Sequence, residues 1–318
     1  MAAAAPARRW PLRVVLAIGV GVALAPAIFQ MFSRAPAGGL MIDDFKPHMT
    51  HERIESFKSD LVTIGAAQHE ALGLVPREAN ASVREIQARY PDIVAFEAKW
   101  DHIDEDMSSM LTTMDHNVDN YLGVAALPPF ALFPWFFVLP GALIAGVAVW
   151  SMRTDGGGVP AKGRRIALVA LAIGLIAAPA MFQMFTRAPG GQEMISDFKP
   201  FMRPAKVTEI QGYFLTIGTA EAEMRTKLLP AYAAAGLETP PPAIAAFNEQ
   251  WPSISNEMAP MIGTMADSVG RFAGIAALPP FGLFPWFFVL PGVLVLGMLF
   301  LASRSERSAV PIPVLEGA

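Results

Sequence analysis

Two methionine triplets are the residues whose type and spacing most suggest chemistry. Met107, Met110 and Met114 are spaced three and four apart, as are Met258, Met261 and Met265, so each triplet falls on one helical face. Thioethers favour Cu(I), and a pliable thioether surface also suits a hydrophobic ligand. Core packing is the stronger reading, because both triplets sit in an apolar seam and His102 and His116 have no counterparts near the second one. No metal and no cofactor are therefore expected, and the six methionines stand as a candidate apolar ligand seam. The acidic run Asp101, Asp104, Glu105, Asp106 resembles a cation site only superficially. It lacks the glycine of a calcium loop, only Glu257 recurs near the matching place, and a solvated helix face is expected. Asn80-Ala81-Ser82 matches a glycosylation acceptor and is read as accidental.

The 318 residues include no cysteine, which excludes disulfides, thiolate nucleophiles and cysteine-bound zinc. A phosphate-binding glycine loop, a His-Glu-x-x-His pair and a nucleophile elbow are all missing from the sequence. Neither an enzyme nor a nucleic-acid-binding protein is expected. At 53% hydrophobic and 16% charged residues, the composition leans toward the membrane class.

The elements that position these residues are written twice. APAIFQMFSRAP (25–36) recurs as APAMFQMFTRAP (178–189), an offset of 153, and Asp44-Phe45-Lys46-Pro47 recurs as Asp197-Phe198-Lys199-Pro200. GVAALPPFALFPWFFVLPGALIAG (123–146) matches GIAALPPFGLFPWFFVLPGVLVLG (274–297) at 19 of 24 positions, now with an offset of 151. We read a tandem duplication. Each copy has two apolar segments near the ~20 residues that span a hydrocarbon core. The expected spans are 14–32 and about 132–150 in the first copy (14–150), and 166–185 and about 283–302 in the second (166–302). They contain no Asp, Glu, Lys, Arg or His, which weighs against an ion-coupled transporter. Gln30 and Gln183 are their only strongly polar side chains. Because the first segment recurs in mid-chain, it reads as an uncleaved anchor rather than a signal peptide.

Lysine and arginine sit in the three short flanks, 1–13, 151–165 and 303–318. By the positive-inside rule these flanks, with both termini, are cytoplasmic, and the long segments 35–122 and 188–272 face outward. Both outward segments are net acidic: sixteen acidic against seven basic residues from Leu40 to Leu122, nine against six from Glu193 to Phe272. Ile93, Phe96, Trp100, Ile103, Met107, Met110, Met114 and Val118 are spaced as an a/d seam, and Ile244 through Val269 repeat the spacing. A looser stripe, Met41 to Ile64, is matched by Met194 to Ile217. Turns are expected at Pro76 and at Pro240-Pro241-Pro242, a short helix near 82–89, and one 31-residue helix of about 46 Å from Asp92 to Leu122. The fold class is thus an all-α membrane protein: four transmembrane helices as two tandem two-span repeats, each with an extracytoplasmic helical hairpin.

Proline and aromatic residues mark where each outer helix turns into the second span. Pro128, Pro129 and Phe130 should stop the incoming helix, and Pro134 should open the next at its first turn. Trp135 should lie at the membrane interface, and Pro140 with Gly141 should kink the span. Pro279, Pro280, Phe281, Pro285, Trp286 and Pro291 repeat the pattern. These twelve residues form a candidate groove. Arg34 and Arg187, just beyond the first span of each copy, are expected to snorkel. The expected function is a non-enzymatic accessory or scaffold in the cytoplasmic membrane of a bacterial envelope. Its partners would be membrane lipid and another envelope membrane protein, one handling lipid. A small pore or carrier for a hydrophobic molecule is the alternative.

Overall fold

The computed structural model describes residues 10–79, 83–154, 160–236 and 239–307; Asn80-Ala81-Ser82 lies outside them. Among the described residues all regular structure is helical. In chain order the helices are α1 (Trp10–Ile28), α2 (Met31–Phe45), α3 (His51–Ala79), α4 (Val83–Arg89), α5 (Pro91–His116), α6 (Val118–Ala125) and α7 (Phe133–Thr154). Then follow α8 (Lys162–Met181), α9 (Met184–Phe198), α10 (Pro204–Glu223), α11 (Leu229–Ala234), α12 (Pro242–Ala276) and α13 (Phe284–Arg307). Two compact units emerge. One comprises Met1–Leu40, Gly123–Glu193 and Gly274–Ala318; the other comprises Met41–Leu122 and Met194–Ala273.

The first unit contains the four helices long and apolar enough to cross a membrane: Trp10–Ile28, Phe130–Thr154, Lys162–Met181 and Phe281–Arg304. Two of them end earlier than hydropathy suggests. The expected 14–32 span stops at Ile28 and the expected 166–185 span at Met181, because Gln30 and Gln183 both adopt φ of 54°. A left-handed residue breaks the helical ladder and costs roughly 1–2 kcal/mol for a non-glycine side chain. The carbonyl each glutamine turns outward is met by a hydroxyl three residues on: Ser33 Oγ donates to Gln30 O at 3.0 Å and Thr186 Oγ1 to Gln183 O at 2.9 Å. Apolar residues continue past the break, so hydropathy overshoots it.

Within this unit α1 packs on α7 and α13, and α8 packs on α13 and α7. Small residues set the closest approach. A Cβ at Gly141 would lie 2.5 Å from the Ala23 backbone nitrogen and 2.8 Å from the Gly19 carbonyl oxygen. At Gly292 it would lie 2.7 Å from the Ala172 carbonyl oxygen. The Pro140-Gly141 and Pro291-Gly292 pairs lie inside α7 and α13, with the glycines at the helix contacts. Phe137 and Phe288 face each other at a ring separation of 4.3 Å, and Phe133 meets Phe284 edge-on at 6.4 Å.

The second unit is a helical bundle in which α5 packs on α3 and α10. Its seam is buried along the expected positions: Ile93, Phe96, Ile103, Met107, Met110, Met114 and Val118 in α5 and α6, and Ile244, Phe247, Ile254, Met258, Met261 and Met265 in α12. The expected 31-residue helix is two helices. Asn117, fully buried, ends α5 by turning its Nδ2 onto the Thr113 carbonyl (3.0 Å) and the Asp197 carboxylate (2.9 Å). An asparagine that bonds backbone locally competes with helix continuation. Ser268 stands 151 residues on, and there α12 runs unbroken from Pro242 to Ala276. The turn expected at Pro76 comes later, since α3 continues through it to Ala79, whereas α12 does begin after Pro240-Pro241.

Candidate functional site

The elbows leading into α7 and α13 form as the prolines dictate. The helices before them end at Ala125 and Ala276, one tight helical turn each follows at Phe130–Leu132 and Phe281–Leu283, and Pro134 and Pro285 sit in the first turns of α7 and α13. Prolines tolerate those first-turn positions because the missing N–H had no partner to lose. Trp135 and Trp286 are about half exposed, at 47% and 48%, and each meets a phenylalanine edge-on: Phe32 at 5.7 Å and Phe185 at 5.8 Å. Gln192 Oε1 accepts the Phe281 backbone N–H at 2.9 Å; Gly39 stands at the position 153 residues earlier.

Beside the second elbow lies an apolar groove of about 200 Å³ between α1 and α13. Of the twelve predicted groove residues it brings together Pro279 and Pro291, and it adds residues that sequence reasoning missed: Val22, Ala25, Phe29, Phe284 and Phe287. The matching space beside the first elbow, lined by Pro128, Phe133, Phe136, Ala178 and Phe182, is only about 10 Å³. Pro129 and Pro280 instead precede the tight turns, and Pro140 lies within α7. The missed phenylalanines had a signal, since Phe29 and Phe182 recur at the offset, as do Phe136 and Phe287.

Arg34 and Arg187, expected to snorkel, hold the ends of the incoming helices. Arg34 Nη1 donates to Ala277 O at 3.2 Å, and Arg187 Nη1 to Ala126 O at 2.8 Å. Each satisfies a carbonyl left open at a helix C-terminus.

In the second unit the methionine seam borders an apolar cavity of about 50 Å³. Met110, Met114 and Met265 line it together with Met41, Met49, Met194 and Met202. Met107, Met258 and Met261 are buried but are not part of the lining.

The acidic run is only partly the solvated face expected of it. Asp101 and Glu105 are exposed, but Asp106 accepts from Lys206 Nζ and from the Tyr213 hydroxyl. His102 Nε2 lies 2.9 Å from Glu209 Oε1 and 3.1 Å from the Tyr213 hydroxyl. His102, Asp106 and Glu209 could by geometry share a metal ion, yet the Lys206 ammonium already bonds both carboxylates. The hydrogen bond from His102 and the Lys206 ammonium hold Glu209 down at about 2, while Glu209 and Asp106 raise His102. At the offset positions Arg53 Nη1 pairs with Glu257 Oε2 at 2.6 Å, and Ser253 Oγ donates to Glu257 Oε1 at 3.3 Å. Asp60 stands in the place of Tyr213, and its buried Oδ2 has no hydrogen-bond partner among the described residues.

Two further glutamates, invisible to motif reading, cap helices. Glu223 Oε2 accepts the Asp92 and Ile93 N–H groups at 2.8 and 2.9 Å. Glu70 Oε2 accepts those of Ala243 and Ile244 at the same two distances. A carboxylate there meets both open donors and the positive end of the helix dipole. No protein-family model matches this chain, and neither does any curated protein sequence.

Proposed function

We propose that the protein is a non-enzymatic accessory of a bacterial cytoplasmic membrane, a two-span unit duplicated and fused, which binds another envelope membrane protein that handles lipid. The observation that carries this reading is reciprocity. Glu70 caps a helix of the second copy and Glu223 one of the first; Arg53 pairs with Glu257 and Lys206 with Asp106; Arg34 holds Ala277 and Arg187 holds Ala126. Each copy thus completes the other, as in a dimer joined end to end. Several charged groups are engaged in this interlock, whereas the tryptophans of both elbows are about half exposed. Half-exposed aromatic anchors are what a partner's helix would grip.

The test is purification from native membranes in mild detergent, followed by mass spectrometry of bound proteins. A single partner in fixed ratio, lost when Trp135→Ala and Trp286→Ala are combined, is the expected result. Its absence from the unaltered protein would overturn the accessory reading. Orientation is tested separately, because a chain without cysteine allows clean single labels. An impermeant maleimide should reach Glu97→Cys from outside the membrane and fail to reach Gly163→Cys.

The carrier reading keeps one specific observation in its favour, the methionine-lined cavity. Methionine repacks easily around an apolar guest. A carrier should lose its hydrophobic ligand when Met110→Gln and Met265→Gln, one lining residue from each seam, are combined.

A further inference from the structure

We propose that the groove between α1 and α13 holds an acyl chain of a phosphate-bearing membrane lipid, with Arg34 gripping the phosphate. The groove lies among helices apolar enough to be bathed in acyl chains, and its lining is hydrocarbon: Val22, Ala25, Phe29, Phe284 and Phe287 with two prolines. One end is marked by charge. Arg34 Nη1 donates to the carbonyls of Phe29 (3.4 Å) and Ala277 (3.2 Å). Phe29 itself lines the groove, and Ala277 stands two residues before Pro279, which lines it too. The two carbonyls use only Nη1. A guanidinium carries further donors on Nη2 and Nε, and these meet no acceptor and no carboxylate among the described residues. Arg34 is half-buried, so a headgroup can reach it. Phosphate accepts from such a fork in bidentate fashion, and the groove beside it accepts the chain.

Of the two offset positions, the structure assigns the site to one, beside Arg34. Arg187 repeats the carbonyl contact, but the space beside it is about 10 Å³. Residue for residue the two linings agree at the offset positions, except that Leu175 stands where Val22 does. Both side chains are buried; Val22 lines the open groove, whereas Leu175 stands outside the lining of the small space. One lipid bound at Arg34 and none at Arg187 is the specific claim, and it holds with or without a protein partner.

The experiment uses the full chain, purified, delipidated and offered phosphatidylglycerol or diacylglycerol at equal mole fraction, with retained lipid counted by native mass spectrometry. One phosphatidylglycerol should be retained, and diacylglycerol about tenfold less, as expected for loss of charged hydrogen bonds. Arg34→Gln and Ala25→Leu should each reduce phosphatidylglycerol retention about tenfold. Arg34→Lys should retain more than Arg34→Gln, and Arg187→Gln and Ala178→Leu should leave retention unchanged. Equal retention of diacylglycerol would overturn the proposal, and so would an equal loss in Arg187→Gln. Should Ala25→Leu fail to give a helical, monodisperse protein, Val22→Leu replaces it and must reduce retention by making the open lining match the closed one. Inorganic phosphate alone should not compete; competition at millimolar levels would mean the chain contributes nothing, and the acyl part of the proposal fails.

Discussion

Two ion-paired joints of the helical bundle, Lys206–Asp106 and Arg53–Glu257, occupy offset positions and do the same mechanical work with different chemistry. Lys206, Asp106, Tyr213, His102 and Glu209 form one hydrogen-bonded group; beside Arg53 and Glu257, Ser253 bonds the glutamate, and Asp60 and Ser56 hold the positions offset from Tyr213 and Glu209. One joint is a dense titratable network and the other a lean pair with a buried carboxylate oxygen left unmatched. What the offset positions share is the contact and its sign of charge; what differs is the set of titratable groups around it. Residues kept for an interlock show this pattern, and so do the helix caps Glu70 and Glu223 and the glycines Gly141 and Gly292. Each offset pair is therefore an internal control, and each prediction below sets one member against the other.

The largest difference should come from the spans. A methyl at Gly141 meets backbone atoms on two residues of α1, which cannot yield without moving the helix. Gly141→Ala should cost about 3 kcal/mol, at the upper end of overpacking penalties. Gly292→Ala meets one backbone oxygen and the flexible Ile176 side chain, and should cost about 2 kcal/mol. Gly146→Ala, with nothing within 4 Å, should be neutral or slightly stabilising. Unfolding in detergent followed by helical circular dichroism would order the three. Equal losses at Gly141 and Gly146 would sink the close-approach argument.

The caps come next. Glu223 is buried, with 3% of its surface exposed, and also binds Lys227 Nζ at 2.7 Å. Removing it by Glu223→Ala strands two backbone donors away from water and should cost about 2 kcal/mol. Glu70 accepts the equivalent pair of donors, from Ala243 and Ile244, but is half-buried. Water can replace it in part, and Glu70→Ala should cost about 1 kcal/mol. A larger loss at Glu70 than at Glu223 would mean that burial does not set the difference.

These caps show why some of the structure was legible in the sequence and some was not. Seam positions could be read because burial follows helical period, and that period survives drift between copies. The elbows could be read because proline acts locally through its own ring. Span ends could not, since Gln30 and Gln183 sit inside an unbroken apolar run and their left-handed backbone has no compositional mark. The break at Asn117 was hidden for another reason: it depends on Asp197, eighty residues away. Glu70 looks like any charge on a helix face until its partner helix is placed. The sequence does carry one mark of these caps. Glu70 and Glu223 keep a carboxylate at the 153 offset within a stretch where the neighbouring residues differ.

A smaller and opposite-signed pair tests the joints directly. Tyr213→Phe removes the hydroxyl that donates to Asp106 and should cost about 1 kcal/mol. Asp60 is raised by burial first and by Glu257 second, against the pull of Arg53. A carboxyl with a raised folded pKa stabilises the fold below its unfolded value of 3.8 and loses that contribution as pH rises through the folded value. At neutral pH its charge opposes folding, so Asp60→Asn should stabilise by up to about 1 kcal/mol. The gain should shrink as the pH is lowered toward 4, in chemical or thermal unfolding, and a gain that is constant with pH would contradict the burial argument.

The smallest effect is the pH profile of the dense joint. His102 is raised by its hydrogen bond to Glu209 and by Asp106, so its contribution is complete below 6.5 and fades as pH climbs past the raised value. Glu209 is depressed to about 2 by His102 and Lys206, so its contribution is complete above 4.5 and fades as pH falls from there toward 2. Together they give the joint its full strength between about 4.5 and 6.5, and both groups are exposed enough that solvent keeps the effect small. The lean joint has Ser253 where His102 stands and Ser56 where Glu209 stands. His102→Ser makes the first joint resemble the second, and should flatten the fall in Tm between pH 6 and pH 8.5 relative to the unaltered protein. An unchanged slope in that variant would place the pH dependence elsewhere and leave the two joints alike in chemistry as well as in position.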